Sequence, residues 1–227
     1  MTTMITLQKQ VTERFGAWID GTHIAFDELT VEVKAAYLRE LCLSLRDEDV
    51  FDFKLLVDVC GVDYLHYGLD DWETASATDS GFGRGTLAVA ERKLAARVSR
   101  YAVVYHLLSL THHHRIRLRV NIPEDGALMV DSVINIWPAA DWFERETFDL
   151  FGILFKGHPD LRRILTDYGF HGHPFRKDFP LIGEVEARYD ATLKRVIYEP
   201  VSISMRVLEP KVIRHDNRYL KGPEDAS

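Results

Sequence analysis

The sequence predicts an α+β fold: a mixed β-sheet packed with helices, followed by an extended C-terminal arm. Three observations carry this reading. Apolar residues recur at helical spacing in several stretches, and runs that alternate or are rich in β-branched residues lie between them. The order is helix, strands, helix, mainly strands, one more helix, which suits helices packed against a sheet. Finally, the stretch from Gly152 to Gly183 holds five glycines and three prolines. Such a run closes neither a helix nor a central strand. The globular domain is therefore expected over residues 1–151 and the arm and tail over residues 152–227.

Each element has its own signal. Leu7, Val11 and Phe15 predict an amphipathic helix over 4–15. Ala17 to Phe26 reads as a strand with a turn at Asp20-Gly21, and Leu29 to Val33 as a second, short strand. Leu38, Leu41, Cys42 and Leu45 share one face of a helix spanning Ala35 to Arg46. Phe51 to Val62 is apolar and β-branched enough for a buried strand. Thr74 to Thr86 is a polar loop, with a helical turn or two after it at Leu87, Glu91, Leu94 and Val98. Tyr101 to Leu110 and Arg115 to Ile122 are strands. In the second, Ile116, Leu118 and Val120 face one way and Arg115, Arg117 and Arg119 the other. The apolar pairs Val133-Ile134 and Ile136-Trp137 precede Pro138, which suits a first helical turn, and Gly152 is a natural stop for the helix that follows.

The stretch after Gly152 is too aromatic and too mixed in charge for a flexible linker. A long irregular segment rich in anchors is usually functional, and it reads as an arm that becomes ordered against another protein. Charge agrees. Residues 1–155 carry 15 basic and 24 acidic residues, net −9, whereas residues 156–195 carry 8 and 6, net +2. An acidic body lacks the dense basic face of a nucleic-acid binder. No apolar run approaches a membrane span, and the N-terminus lacks the pattern of a secretion signal. Cys42 and Cys60 are too few for a disulfide framework, so a reducing compartment, the cytoplasm, is expected.

Candidate chemistry is sparse. Gly81, Gly83 and Gly85 have the wrong spacing and context for a dinucleotide fingerprint and read as a loop. His112, His113 and His114 are neighbours, and three consecutive residues cannot converge on one tetrahedral metal; His112 and His114 could share a face, and His171 and His173 form a second such pair. Surface or interface histidines are the simpler reading. Cys42 and Cys60 read as inert core residues, and two thiols cannot hold an iron–sulfur cluster that normally takes four. Glu144, Arg145, Glu146 and Asp149 lie on one helix. The acids could be an acid–base pair, but no nucleophile or oxyanion donor accompanies them. Ion pairs with Arg162, Arg163, Arg176 or Lys177 are the better expectation.

From Glu144 onward the chain resembles the thirty-kilodalton subunit family of respiratory complex I, whose bacterial members are called the C subunit. The residues that carry the resemblance are Glu144-Arg145-Glu146, Asp149-Leu150-Phe151, His158, Arg162 and Ile164-Leu165, with GHPDLRRIL and GHPFRKDFPL downstream. LLVDVCGVDYL, YAVVYHLLSL, DSVINIWPAADW and RVIYEPV agree in order and spacing, so the resemblance covers most of residues 28–205, and Thr74 to Arg97 reads as an insertion. It implies an α+β subunit that binds no metal, flavin or iron–sulfur cluster itself. Its C-terminal extension would wrap the neighbouring forty-nine-kilodalton, or D, subunit on the cytoplasmic face of the inner membrane, with membrane contact only through the complex. FMN, iron–sulfur clusters and quinone belong to the assembled enzyme, which passes electrons from NADH to quinone and pumps protons. Expected interface residues are Trp142, Glu144, Arg145, Glu146, Asp149, Phe151, His158, Asp160, Arg162, Arg163, Phe175, Arg176, Lys177 and Asp178. Phe143, Phe155, Leu161, Tyr168, Phe170 and Phe179 are further expected anchors. A scaffold subunit of a related membrane-bound hydrogenase or other quinone-reducing complex shares this pattern. A metal-dependent hydrolase built on His112, His114, His158, His171 or His173 is the reading from a different class.

Overall fold

The structure is a computed structural model that describes residues 4–65, 67, 99–123 and 126–203. The expected loop and helical turn over 74–98, and the glycines at 81, 83 and 85, lie outside these residues. The chain divides into two compact units, one formed by residues 1–65 and 96–180 and the other by 66–95 and 181–227.

The first unit is built on a five-stranded sheet. Helix α1 (Met4–Phe15) leads into strands β1 (Ile19–Ala25) and β2 (Glu28–Val33). A short 3-10 turn at Ala35–Tyr37 opens helix α2 (Leu38–Asp47), and β3 (Leu55–Asp63), β4 (Tyr101–Ser109) and β5 (His114–Ile122) follow. Strand order is β1-β2-β5-β4-β3, antiparallel except for the parallel β2–β5 pair, so the sheet is mixed as expected. The alternation in β5 buries Ile116, Leu118 and Val120 against Leu29, Val31 and Val33 of β2. Leu7, Val11 and Phe15 of α1 and Leu38, Leu41, Cys42 and Leu45 of α2 join the same core, each on the stripe that helical spacing predicts.

Two local expectations are corrected. The first hairpin turns at Phe26-Asp27, both at positive φ (53° and 60°), not at Asp20-Gly21. At Asp20-Gly21 the chain makes a register shift instead, and pairing continues to Ala25–Glu28. Residues 51–62 do not form a strand buried on both faces. Phe51 and Phe53 anchor the loop in the core, the strand begins at Leu55, and as the sheet edge it leaves Leu55 and Val57 exposed and Cys60 half-buried.

That edge is covered. Strand β6 (Met129–Asp131), helix α3 (Ala140–Phe151) and strand β7 (Leu154–Lys156) come next, with β6 and β7 parallel. Helix α3 packs on β3, where the Thr147 hydroxyl donates to the Val59 carbonyl (3.2 Å). Such a cover removes a free ladder that another chain could extend. Gly61 permits the contact, since a Cβ there would lie 2.6 Å from the Phe151 ring. Helix α3 ends at Gly152, in the left-handed conformation (φ 73°), as the sequence indicates.

The contacts divide at Pro180–Leu181, and residues 152–180 pack with the body in the first unit. In the second unit, β8 (Val185–Asp190) and β9 (Arg195–Pro200) make an antiparallel hairpin, a regular element that the sequence reading leaves inside an irregular arm. Asp190 fastens its turn by accepting the Thr192 and Leu193 N–H groups.

Candidate partner interface: a strap clamped to one helix

Residues 157–180, called the strap below, are held by the C-terminal half of α3 through two devices. The first is Asp149. Its buried carboxylate accepts the N–H groups of Ile164 (3.1 Å), Leu165 (2.8 Å) and Thr166 (2.9 Å) and the Thr166 hydroxyl (2.5 Å), and it pairs with Arg163 (2.8 Å). Burial alone pushes the carboxyl pKa up. The Thr166 hydroxyl and the three N–H groups outweigh it and hold the pKa well below the usual carboxylate range.

The second device is the helix end. The last carbonyls of an α-helix lack intrahelical partners. Here Gly152 N–H donates to Phe148, His173 Nδ1 bonds the Asp149 carbonyl (2.8 Å), Phe175 N–H donates to Leu150 (3.1 Å) and Arg176 Nε to Phe151 (2.7 Å). All but the first of these come from the strap, so the returning chain is the C-terminal cap of α3. Arg176 also places positive charge at the negative end of the helix dipole. A side chain at Gly152 would collide with this cap, since a Cβ there lies 2.6 Å from His173 Nε2.

Further along, Lys177 N–H donates to Asp63 (2.9 Å), whose side chain is buried and paired with Arg100 (2.9 Å). Arg100 also reaches Asp178 (2.9 Å), and Arg100 and Arg176 both lie over the Tyr101 ring, at 4.7 and 5.5 Å. Near its start the strap is fixed by His158. The imidazole is buried, with Nε2 at 3.2 Å from Asp141 Oδ1 and Nδ1 accepting the Asp160 N–H.

The residues expected at an interface therefore sort into three groups. Asp149, His158, Arg163, Arg176, Lys177 and Asp178 hold the strap to the body. A second group is set into α3. Glu144 is fully buried and forms no ion pair among the described residues; it accepts from Ser132 Oγ (2.6 Å) and Val133 N–H (2.8 Å). Arg145 is buried too, with Nε donating to the Arg162 carbonyl (3.3 Å) and its guanidinium 5.2 Å from the Trp142 ring. Glu146 is half-buried on the same helix, and Phe151 lies half-buried against Gly61. The third group faces outward: Trp142 at 60% exposure, Phe175 at 56%, and the exposed Asp160–Arg162 pair. Tyr168 at 98% and Leu165 extend this outward set. Not all aromatics of the segment are free anchors. Phe155 and Phe143 pack into or against the core, and Phe170 and Phe179 stack on each other at 5.8 Å.

Several holding residues have no spacing or periodicity that assigns them this role. Asp63, Ser132 and Thr166 meet their partners across 12 to 114 positions of chain, and Arg100 meets Asp63 across 37; Asp63, Tyr101 and Ser132 lie in segments that carry the family resemblance, which by itself gives them no role. Three of the candidate histidines are engaged elsewhere. His112 Nε2 bonds the Asp49 carbonyl and its ring stacks on His114, while His173 and His158 serve the strap. Among the described residues no three His, Cys, Asp or Glu side chains come together as metal ligands.

The site is thus an α+β domain whose last helix clamps its own returning chain and leaves aromatics outward, the form of a subunit that meets other chains. Residues 31–185 match the family described as the respiratory-chain NADH dehydrogenase 30 kDa subunit, and the chain belongs to that family. It is 56% identical over 221 residues to the C subunit of the NADH-quinone oxidoreductase of Coxiella burnetii, covering 97% of both chains. It is 57% identical over 196 residues to the protein of the same name from Legionella pneumophila, covering 86% of each. A chain of the membrane-bound sulfane sulfur reductase, an archaeal respiratory membrane complex, shares the fold at a TM-score of 0.53 and 23% identity, over 78% of this chain and 85% of that one. No helix among the described residues is long and apolar enough to cross a membrane.

Proposed function

We propose that this chain is a non-catalytic structural and assembly subunit in the peripheral arm of a proton-pumping NADH:quinone oxidoreductase. It docks on the forty-nine-kilodalton, or D, subunit at the cytoplasmic face of the bacterial inner membrane. It holds no cofactor of its own. The assembled enzyme carries electrons from NADH through FMN and iron–sulfur clusters to quinone. The observation that carries the reading is the clamped strap. Polar residues that the family pattern brings together hold a segment to the body, and Trp142, Leu165, Tyr168 and Phe175 remain outward on or beside it. Exposed aromatics beside Arg are the residue types that dominate protein–protein interfaces. Because the strap is already ordered by its own chain, docking loses less conformational entropy than folding a free arm on the partner.

The test is purification of the tagged chain from its native membranes in mild detergent, with partners identified by mass spectrometry and NADH:quinone activity assayed. Recovery of flavin- and iron–sulfur-bearing subunits with NADH oxidation is expected. Hydrogenase subunits in their place would select a sister complex, and a partnerless chain would overturn the reading.

A further inference from the structure

Glu144 plays no part in holding the strap directly, and its surroundings are unusual for a carboxyl. It is fully buried under α3. The ionisable groups that act on it or feel its charge are Cys42 of α2, Tyr105 of β4 and Asp141 one turn earlier on α3; Asp131 of β6 acts on Tyr105 as well. None of these is a cation. The Tyr105 hydroxyl is buried without a hydrogen-bond partner among the described residues. Ser132 and Val133, which hold the carboxyl, start the 132–137 turn that leads into α3.

We propose that Glu144 is a proton-operated latch that couples the seating of α3 on the 132–137 turn to the hold on the strap. The Ser132 contact survives in both forms and is stronger to the ionised one, which it favours against burial. An ionised carboxylate accepts from the hydroxyl, and the neutral acid donates to it, while Ser132 Oγ also accepts the Ile134 N–H (3.2 Å). What changes on ionisation is a negative charge placed beside Tyr105 and Cys42, groups that offer it no counter-charge, which low-dielectric surroundings disfavour. Helix α3 carries both Asp149 and the carbonyls that the strap caps, so loosening α3 loosens the strap. Burial pushes the Glu144 pKa up to about 7, against the Ser132 and Val133 hydrogen bonds. In the unfolded chain it titrates near 4.5. Its contribution to stability is fully present below that value and is lost as pH rises through about 7. The folded chain is therefore latched on the acid side of neutrality and loosened on the alkaline side.

The test is hydrogen exchange of the full-length chain between about pH 5.5 and 8.5, a range that brackets neutrality. Protection of the Ile164, Leu165 and Thr166 amides would be corrected for intrinsic rates and compared among wild type, Glu144→Gln and Ser132→Ala. Wild-type protection should fall on the order of tenfold as pH rises and level off once the folded carboxyl is ionised. The Gln variant imitates the neutral acid, keeps both hydrogen bonds and should stay flat, with His173 and the other histidines unchanged in both. Ser132→Ala removes a donor to the ionised form and should move the levelling to higher pH, which keeps the test decisive if the Gln variant does not fold. A flat wild-type profile, the same fall in the Gln variant, or an unmoved profile in Ser132→Ala would overturn the latch.

Discussion

At the scale of single residues, the strap depends on one carboxylate. Asp149 collects the Arg163 guanidinium, the Thr166 hydroxyl and three backbone N–H groups of an irregular segment. Asp149→Asn keeps the shape, loses the charge and turns an amide N–H₂ toward some of those donors. Removing the acceptor from buried, charge-assisted hydrogen bonds costs about 3 kcal/mol. The expected outcome is a lower melting temperature of the full chain and faster proteolysis between residues 157 and 180. The pH dependence follows from the depressed pKa. A carboxylate held below its ordinary value of 3.8 contributes stability above that value and loses it as pH falls through the folded one. The gap between wild type and Asp149→Asn should therefore be constant near neutral pH and narrow below about pH 4; a gap that persists in acid would show that the charge is not what holds the strap. Gly152 is a second single-residue determinant. Gly152→Ala puts a Cβ at φ 73° and against the His173–Arg176 cap. It should cost about 2 kcal/mol, more than the ordinary loss of a left-handed glycine, measured by denaturant unfolding.

Whole elements show which features a sequence can announce. Helix α1, helix α2 and strand β5 are legible because a single period sorts their apolar residues to one side, and each side is covered by one core. The end of α3 is legible because a glycine can adopt the conformation that stops a helix. Strand β3 reads as buried on both faces because its composition is as apolar as a central strand's. What decides is its place at the edge of the sheet, which α3 closes from a distant part of the chain. The strap reads as irregular because its donors and acceptors follow no period, although in space they answer the carbonyls of α3. The first hairpin is misplaced for a different reason. Asp20-Gly21 is a standard turn pair, whereas Phe26-Asp27 puts a bulky aromatic at positive φ, an unfavourable choice that no local rule selects. That choice is testable. Phe26 is fully exposed, so replacing Phe26-Asp27 with Asn-Gly removes strain without removing a contact. The full chain should gain about 1 kcal/mol in denaturant unfolding; a loss would mean that Phe26 has a partner within the chain.

At the scale of the whole molecule, the strap separates two kinds of residue that sequence alone runs together: those that make the surface and those that are the surface. Asp149, His173, Arg176 and Lys177 engage the body and fix a shape, while Trp142 and Tyr168 add little to the folded chain because their rings lie largely in solvent. Docking and stability should therefore come apart under mutation. Trp142→Ala and Tyr168→Ala are expected to leave the melting temperature of the full chain within about 2 °C of wild type, as surface substitutions usually do. In cells both should lower the amount of chain recovered with its complex, since truncating an aromatic that becomes buried at an interface costs about 2 kcal/mol or more. Asp149→Asn should lower both quantities together. The measurement is a pair of numbers for each variant: the unfolding midpoint of the purified full chain, and the fraction of partner subunits recovered with it from membranes at equal expression. If Trp142→Ala and Tyr168→Ala were recovered with their partners as fully as wild type, the outward aromatics would not be the docking surface. If they lost stability as much as Asp149→Asn, they would belong to the clamp, and the strap would be a structural cap of α3 rather than a surface made for another subunit.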